Sequence, residues 1–266
     1  LSYSVATVGC NFKCRFCQNA DIAQLPADRN GIIVGDQFKP EDVVERALRA
    51  QCKSISYTYT EPTVFFEFAL DTARLAHEKG LLNVFVTNGY MTGASLDMIK
   101  PFLDAANVDL KAFNDDFYKL QCGAKRKPVM ETLKRMKSIG IFVEITTLLI
   151  PGLNDAQDEL EALAAFIAGD LGPETPWHIS RFHPTYKLTD RPSTPVEAIR
   201  RARKIGFAAG LRYVYCGNVP GDDGENTYCH SCGLALVKRQ GFRIVDNAIS
   251  DSKCPGCGAL IDGLWP

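Results

Sequence analysis

From residue 3 to about residue 216, short runs of β-branched and aromatic residues alternate with longer stretches in which apolar positions return every three to four residues. The first pattern predicts strands and the second helices, and their alternation predicts βα units around a parallel sheet. Strands are expected at 3–8, 54–59, 83–87, 108–111, 142–149, 177–182 and 212–215. Proline and glycine punctuate the helices between them. Pro40 opens one, Pro128 opens another that runs to Gly140, Pro195 opens one that stops at Gly210, and a further helix covers 63–79 before Gly80. Seven strands and six helices suit an α/β fold of the partial (β/α)6-type TIM barrel kind better than a closed eightfold barrel.

The texture changes at about residue 217, beyond which Gly, Asp and Cys dominate and only short strand-like pieces remain, at 235–237 and 242–245. A segment this short buries too little surface to fold reliably alone and reads as a small metal-stapled module. Two domains are therefore expected within the 266 residues, a barrel over 1–216 and a zinc-ribbon-like module over 217–266.

Hydrophobic residues at 46% and charged residues at 23% match an ordinary globular protein and argue against a disordered or fibrous chain. Lys+Arg 30 against Asp+Glu 31 leaves a formal charge of -1, so the basic footprint of a dedicated nucleic-acid binder is missing and no nucleic-acid partner is expected. The longest apolar stretches, 139–143 and 148–150, fall far short of the ~20 residues of a membrane-spanning helix, and no membrane association is expected. The first residues already read as a strand, so no targeting peptide is read there. Ten cysteines without an export signal point to metal rather than disulfides and to a reducing, cytoplasmic setting.

Seven of the ten cysteines fall into three tight groups. In the first, Cys10, Cys14 and Cys17 form a CxxxCxxC array directly after the first strand. Three thiolates so close can hold three irons of a 4Fe–4S cubane and leave the fourth iron open for chemistry. Alternatives are a zinc site completed by a distant ligand, or three unrelated buried thiols. Phe12 and Phe16 would cover such a cluster, or serve as ordinary core aromatics.

This loop, with Phe16 before its third Cys, resembles that of the radical SAM superfamily. The segments 9–19, 59–63, 107–113 and 150–155, with the C-terminal cysteine pairs, are similar to the radical SAM branch of the AmmeMemoRadiSam system, itself similar to pyruvate formate-lyase activating enzyme. The resemblance implies that S-adenosylmethionine binds the open iron of a 4Fe–4S cluster. One electron, from a donor such as flavodoxin or ferredoxin, then gives a 5′-deoxyadenosyl radical that abstracts hydrogen from a substrate, with a peptide or protein as a candidate. Cys10, Cys14 and Cys17 are then both catalytic residues and metal ligands. Activation of a glycyl-radical enzyme is an alternative, and an iron–sulfur and zinc scaffold or electron carrier without radical chemistry is another.

Residues just past each strand are the natural ligands of a parallel barrel. The resemblance places Tyr59, Thr60 and Glu61 where the superfamily has a Gly-Gly-Glu segment for the methionyl ammonium, whereas a carboxylate there could equally cap the next helix. It implies cosubstrate contacts for Thr87 and Asn88, for Asp109 and Lys111, which alternation would put on one face, for Thr146 and for His183. Asp109 and Lys111 could instead be a structural ion pair. Val86 and Thr146 stand where activating enzymes carry an Asp that helps bind a monovalent cation and an Arg, respectively. Glu144 shares a face with Thr146, and His178 with Ser180 and Phe182.

Cys229-His230-Ser231-Cys232-Gly233 and Cys254-Pro255-Gly256-Cys257-Gly258 are two CxxCG knuckles, the pattern of a closed four-thiolate zinc site. A second iron–sulfur cluster competes for those ligands. Lys238, Arg239 and Arg243 are the only basic cluster nearby. Cys52, Cys122 and Cys216 remain as buried thiols, with Cys122, close to Lys125 and Arg126, as the candidate for reactivity.

Overall fold

The computed structural model describes residues 1–241 and 243–265. Its strands are β1 (Ser2–Val5), β2 (Ser54–Tyr57), β3 (Leu82–Thr87), β4 (Ala105–Asp109), β5 (Phe142–Leu149), β6 (Trp177–Arg181), β7 (Val214–Gly217), β8 (Thr227–Tyr228), β9 (Ala235–Gln240) and β10 (Arg243–Asn247). The helices are α1 (Ala20–Ala23), α2 (Leu25–Asp28), α3 (Pro40–Arg49), α4 (Phe66–Glu78), α5 (Gly93–Ile99), α6 (Asp115–Phe117), α7 (Arg126–Ser138), α8 (Gln157–Phe166) and α9 (Val196–Ala208). Strands β1 to β7 follow chain order in a parallel seven-stranded sheet, and β7 does not return to pair with β1 among the described residues. This is the α/β class and the open strand order expected from the hydrophobic pattern.

The chain divides into two compact units. The first comprises Leu1–Leu110, Asp115–Val143 and Thr185–Thr189, and the second Lys111–Asn114, Glu144–Pro184 and Asp190–Pro266. In the first, β1 pairs with β2, β2 with β3 and β3 with β4. Alternate strand residues are buried, among them Ile55, Tyr57, Phe85, Ala106 and Val108. The polar Asn83 is accommodated in this core because its amide donates to Ala73 O and Phe102 O, both at 3.0 Å, and accepts from Tyr57 at 3.1 Å.

In the second unit β5 pairs with β6 and β6 with β7, covered by α8 and α9 through Leu160, Leu163, Ile199 and Ala202. The same unit holds an antiparallel β10-β9-β8 sheet, with a small core of Tyr213, Leu236, Val237 and Ile261.

Helices α4, α7 and α9 end just before Gly80, Gly140 and Gly210, where the sequence set their stops. Two short helices, α5 and α8, fill gaps for which the punctuation offered no bounds. The fourth strand corrects an expectation. It lies over Ala105–Asp109 rather than 108–111, because Leu110 N–H turns back to Val108 O at 3.0 Å. Lys111 is thus outside the strand, and alternation with Asp109 does not apply to it. The expected strand over 242–245 is seen as Arg243–Asn247, with Phe242 outside the described residues.

Candidate functional site

The cysteine loop follows β1 in the first unit, and its residues alternate between burial and exposure. Phe12, Cys14 and Phe16 are buried, whereas Asn11, Lys13 and Arg15 are exposed. The loop is held like an extra strand: Lys13 N–H donates to Cys122 O and Arg15 N–H to Gln121 O, both at 2.9 Å. The partner segment, Tyr118–Cys122, is a π-helical turn. Phe12 meets Tyr90 edge-on at 5.3 Å and Phe16 packs on Phe117 at 5.5 Å, so both aromatics form an apolar wall beside Cys14. Cys122 is fully buried, which removes the access that thiol reactivity requires.

A hydrogen-bonded network ties this loop to the ends of β2 and β3. Cys10 Sγ accepts from Phe12 N–H at 3.4 Å and from Asn88 Nδ2 at 3.7 Å. Asn88 Nδ2 also donates to Asn11 Oδ1 at 2.6 Å. Glu61 is almost wholly buried, with four donors on its carboxylate: Thr63 N–H at 3.1 Å, Thr63 Oγ1 at 2.8 Å, Thr87 Oγ1 at 2.8 Å and Asn88 N–H at 2.8 Å. Burial raises its proton affinity above the usual carboxylate range, and the hydrogen bonds oppose that rise. The helix cap offered by the sequence is therefore formed, and the same carboxylate also braces two strand ends.

Tyr59 adopts φ +64, in the left-handed region that a bulky side chain rarely enters. Its carbonyl accepts from Asn19 Nδ2 at 2.8 Å. The resemblance aligns a glycine here, and the backbone keeps the glycine-like conformation despite the tyrosine. Next to it, Thr60 Oγ1 is buried without a hydrogen-bond partner among the described residues. Gly89, at φ +71, follows Thr87 and Asn88. A Cβ on it would lie 2.8 Å from Val108 Cγ1, so the turn beyond β3 accepts only glycine.

Asp109 is the last residue of β4 in the same unit, partly exposed. Lys111 belongs to the second unit, where its carbonyl accepts from Asn154 Nδ2 at 2.7 Å. Asn154 also donates to Leu148 O at 2.9 Å and accepts from Ile150 N–H at 2.7 Å, so the 150–155 motif pins the turn after β5. Thr146 sits mid-strand in β5 opposite His178. His178 Nε2 and Glu144 Oε2 are 3.0 Å apart, and the imidazole stacks on Tyr215 at 4.8 Å. Phe182, expected on the His178 face, lies past the strand and is fully buried. His183 is exposed, with Nδ1 3.2 Å from Ser193 Oγ.

The second unit also gathers four thiols. Cys229, Cys232, Cys254 and Cys257 have all sulfurs within 4.8 Å of one another, with Cys229 to Cys257 and Cys232 to Cys254 both 3.6 Å. The knuckles repeat one turn: Gly233 N–H donates to Cys229 O at 2.9 Å and Gly258 N–H to Cys254 O at 2.8 Å, at φ +75 and +74. Burial raises the Cys229 thiol, but hydrogen bonds from the amides of Cys232 and Ser231, together with the Cys254 and Cys257 thiols, bring it down to about 7. Arg239, of the basic cluster in the same unit, donates to Thr227 Oγ1 at 2.8 Å and to Glu225 O at 3.0 Å.

Bonds of about 2.3 Å to one tetrahedral ion imply sulfurs about 3.8 Å apart, the spacing of this four-thiol group. It is the only group that close among the described residues. Cys10, Cys14 and Cys17 share the loop that follows β1, as thiolates on separate irons of one cluster would. Donors to Cys10 Sγ and the apolar wall fit the same group. Sequence reasoning gave no role to Asn11, Asn19 or Asn154, although all three lie inside the segments 9–19 and 150–155 that carry the resemblance.

No helix among the described residues is long and apolar enough to cross a membrane. The radical SAM superfamily profile matches residues 4–167. A protein of Methanocaldococcus jannaschii is 48% identical over 261 residues, covering 97% of this chain and 77% of that protein. Pyruvate formate-lyase-activating enzyme of Clostridium pasteurianum is 24% identical over 212 residues, 74% of this chain and 86% of that enzyme. Among solved structures, a radical SAM methyltransferase from Sphaerobacter thermophilus aligns with TM-score 0.62 at 21% identity, over 84% of this chain and 69% of the other. Streptococcus suis SuiB bound to S-adenosylmethionine aligns with TM-score 0.65 at 13% identity, over 82% and 50%. At these identities the structural likeness shows the fold alone.

Proposed function

The chain belongs to the radical SAM superfamily, and on that premise we propose that Cys10, Cys14 and Cys17 hold a 4Fe–4S cluster whose fourth iron receives S-adenosylmethionine, for hydrogen abstraction from a peptide or protein. It is an enzyme of radical chemistry, and its family implies that cluster, that cosubstrate and an electron donor. When bound, the reduced cluster supplies one electron to the carbon–sulfur bond, which releases methionine and a 5′-deoxyadenosyl radical.

The network from Cys10 through Asn88 to Glu61 carries this reading, because it bonds the cysteine loop to both neighbouring strand ends. Phe12 and Phe16 keep water from Cys14. Phe12 N–H and Asn88 Nδ2 stabilise negative charge on Cys10 Sγ. Glu61, with its carboxylate engaged, orders Thr87 and Asn88 and leaves the buried Thr60 hydroxyl and the Tyr59 turn to meet the cosubstrate. Asp109, at the end of β4 in the same unit, completes the contacts proposed here. The barrel is assigned to 1–216 and a ribbon to 217–266, where the spacing of the four thiols favours a single zinc over a cluster.

The test is anaerobic reconstitution, reduction with dithionite and addition of S-adenosylmethionine. Formation of 5′-deoxyadenosine is expected, and its absence from fully cluster-loaded protein overturns the reading. Transfer of deuterium into 5′-deoxyadenosine from labelled peptides then identifies the substrate. Activation of a glycyl-radical enzyme is a second reading, favoured by the activating-enzyme relatives. Val86 and Thr146 depart from that branch, and a glycyl-radical signal in a treated partner would decide for it.

A further inference from the structure

The face that the cysteine loop turns outward is basic. Lys13 and Arg15 are exposed on either side of buried Cys14. The loop is bonded to the stretch around Cys122, which carries exposed Lys119 and Lys125 on either side of the two bonds. The Lys13 stem lies along this stretch: its Cβ is 3.6 Å from where a Cβ on Gly123 would stand. Over 9–17 and 115–127 there are six basic residues and two acidic ones, in a chain whose formal charge is -1.

Nearby carboxylates do not cancel this charge. Asp115 pairs with Arg126 at 3.2 Å. Asp28 is taken by Lys187 at 3.0 Å and Tyr186 at 2.7 Å. The 185–189 segment is itself fastened to the loop, with Lys187 N–H on Arg15 O at 3.0 Å and Arg15 Nη2 on Lys187 O at 3.3 Å. No carboxylate pairs with Lys13, Arg15, Lys119 or Lys125 among the described residues.

We infer that this outward edge, Lys13 and Arg15 with Lys119 and Lys125, is the docking surface for an acidic one-electron carrier protein. The inference rests on the reading that Cys10, Cys14 and Cys17 hold the redox cluster. One electron leaves the reduced carrier, which is oxidised, and enters the cluster, which is reduced. Lys13 and Arg15 are the chain neighbours of buried Cys14, so a partner seated on them is placed for transfer as well as for attraction. Complementary charge of this kind acts mainly on the rate of encounter and weakens with salt.

The test compares two reductants with the full reconstituted chain, using Lys13→Glu/Lys119→Glu/Lys125→Glu and, outside the cysteine loop, Lys119→Gln/Lys125→Gln. Reduced flavodoxin, an acidic carrier, should drive 5′-deoxyadenosine formation by the wild type at low ionic strength, with a rate that falls as salt is added. The triple variant should be slower by about tenfold or more, with a flatter salt response, and the double variant should fall between. Dithionite-driven cleavage and the spectrum of the reduced cluster should be unchanged in both. Equal flavodoxin-driven rates in wild type and variants overturn the inference, as does an equal loss with dithionite in the double variant. If cluster-loaded wild type fails to cleave the cosubstrate with dithionite, it is the cluster reading that falls, and the docking surface falls with it.

Discussion

Glu61 Oε2 accepts the backbone N–H of Asn88 at 2.8 Å, which fastens the chain beyond β2 to the chain beyond β3. Asn88 in turn reaches Asn11 and Cys10, so one buried carboxylate positions both strand ends and the cysteine loop.

Glu61→Gln should therefore cost about 1–3 kcal/mol at neutral pH, because one acceptor oxygen becomes an amide NH2, a donor that faces donors. The cost should depend on pH. Burial raises the Glu61 pKa above its ordinary 4.5, so the folded state holds this proton more tightly than the unfolded state does. The wild type then loses stability as pH climbs from about 4.5 toward the raised value, whereas the variant does not. Urea midpoints across that range should show the gap narrowing with rising pH, and a constant gap would contradict the raised value.

Tyr59 holds φ +64 with its side chain 55% exposed, so the ring contributes little packing to offset the strained backbone. Tyr59→Gly should be neutral or stabilising by up to about 1 kcal/mol, and Tyr59→Val should be destabilising by about 1–3 kcal/mol, since branching at Cβ is worst in this region. Thermal midpoints of the pair check it. A marked loss in the glycine variant would mean that the ring carries structure.

Gly89→Ala should cost about 2–4 kcal/mol, because the added methyl meets Val108 Cγ1 at 2.8 Å and Val129 Cγ1 at 3.1 Å and φ is +71. Trimming the opposing side chain in Gly89→Ala/Val129→Ala should make the two losses less than additive. Gly89 N–H donates to Thr87 Oγ1 at 3.0 Å, so weaker S-adenosylmethionine binding should accompany the loss, read by equilibrium dialysis.

The two metal groups should be separable. Cys14→Ala should abolish the paramagnetic signal of the reduced N-terminal cluster and leave one zinc per chain, whereas Cys257→Ser should lose the zinc and keep the signal. Trp265 packs on the small core beside the four thiols and Trp177 is fully buried between β5 and β7. Zinc removal should shift the Trp265 emission and spare that of Trp177, which single-tryptophan variants would resolve. Iron in the four-thiol site after aerobic purification would contradict the assignment.

Local chemistry is what the linear order could carry. The cysteine spacings, the alternation of strands β5 and β6 and the glycines that end α4, α7 and α9 each act within a few residues, and each was legible before any fold was known. Contacts between distant residues were not. Glu61 reads as a ligand or a cap until the fold sets Asn88, 27 residues later, against it, and Asn11 acquires its role from Asn88, 77 positions away. Lys111 left its expected strand because a turn at Leu110 overrode alternation, whereas Cys122 is buried, as read for all three lone thiols, and its candidate reactivity goes with that burial. Metal-binding character thus belongs to the sequence itself, since thiolate spacing suffices for it. The brace around Cys10, the strained Tyr59 turn and the basic outer edge of the loop belong to the tertiary structure, because burial and hydrogen bonding across long separations exist only once the chain has packed.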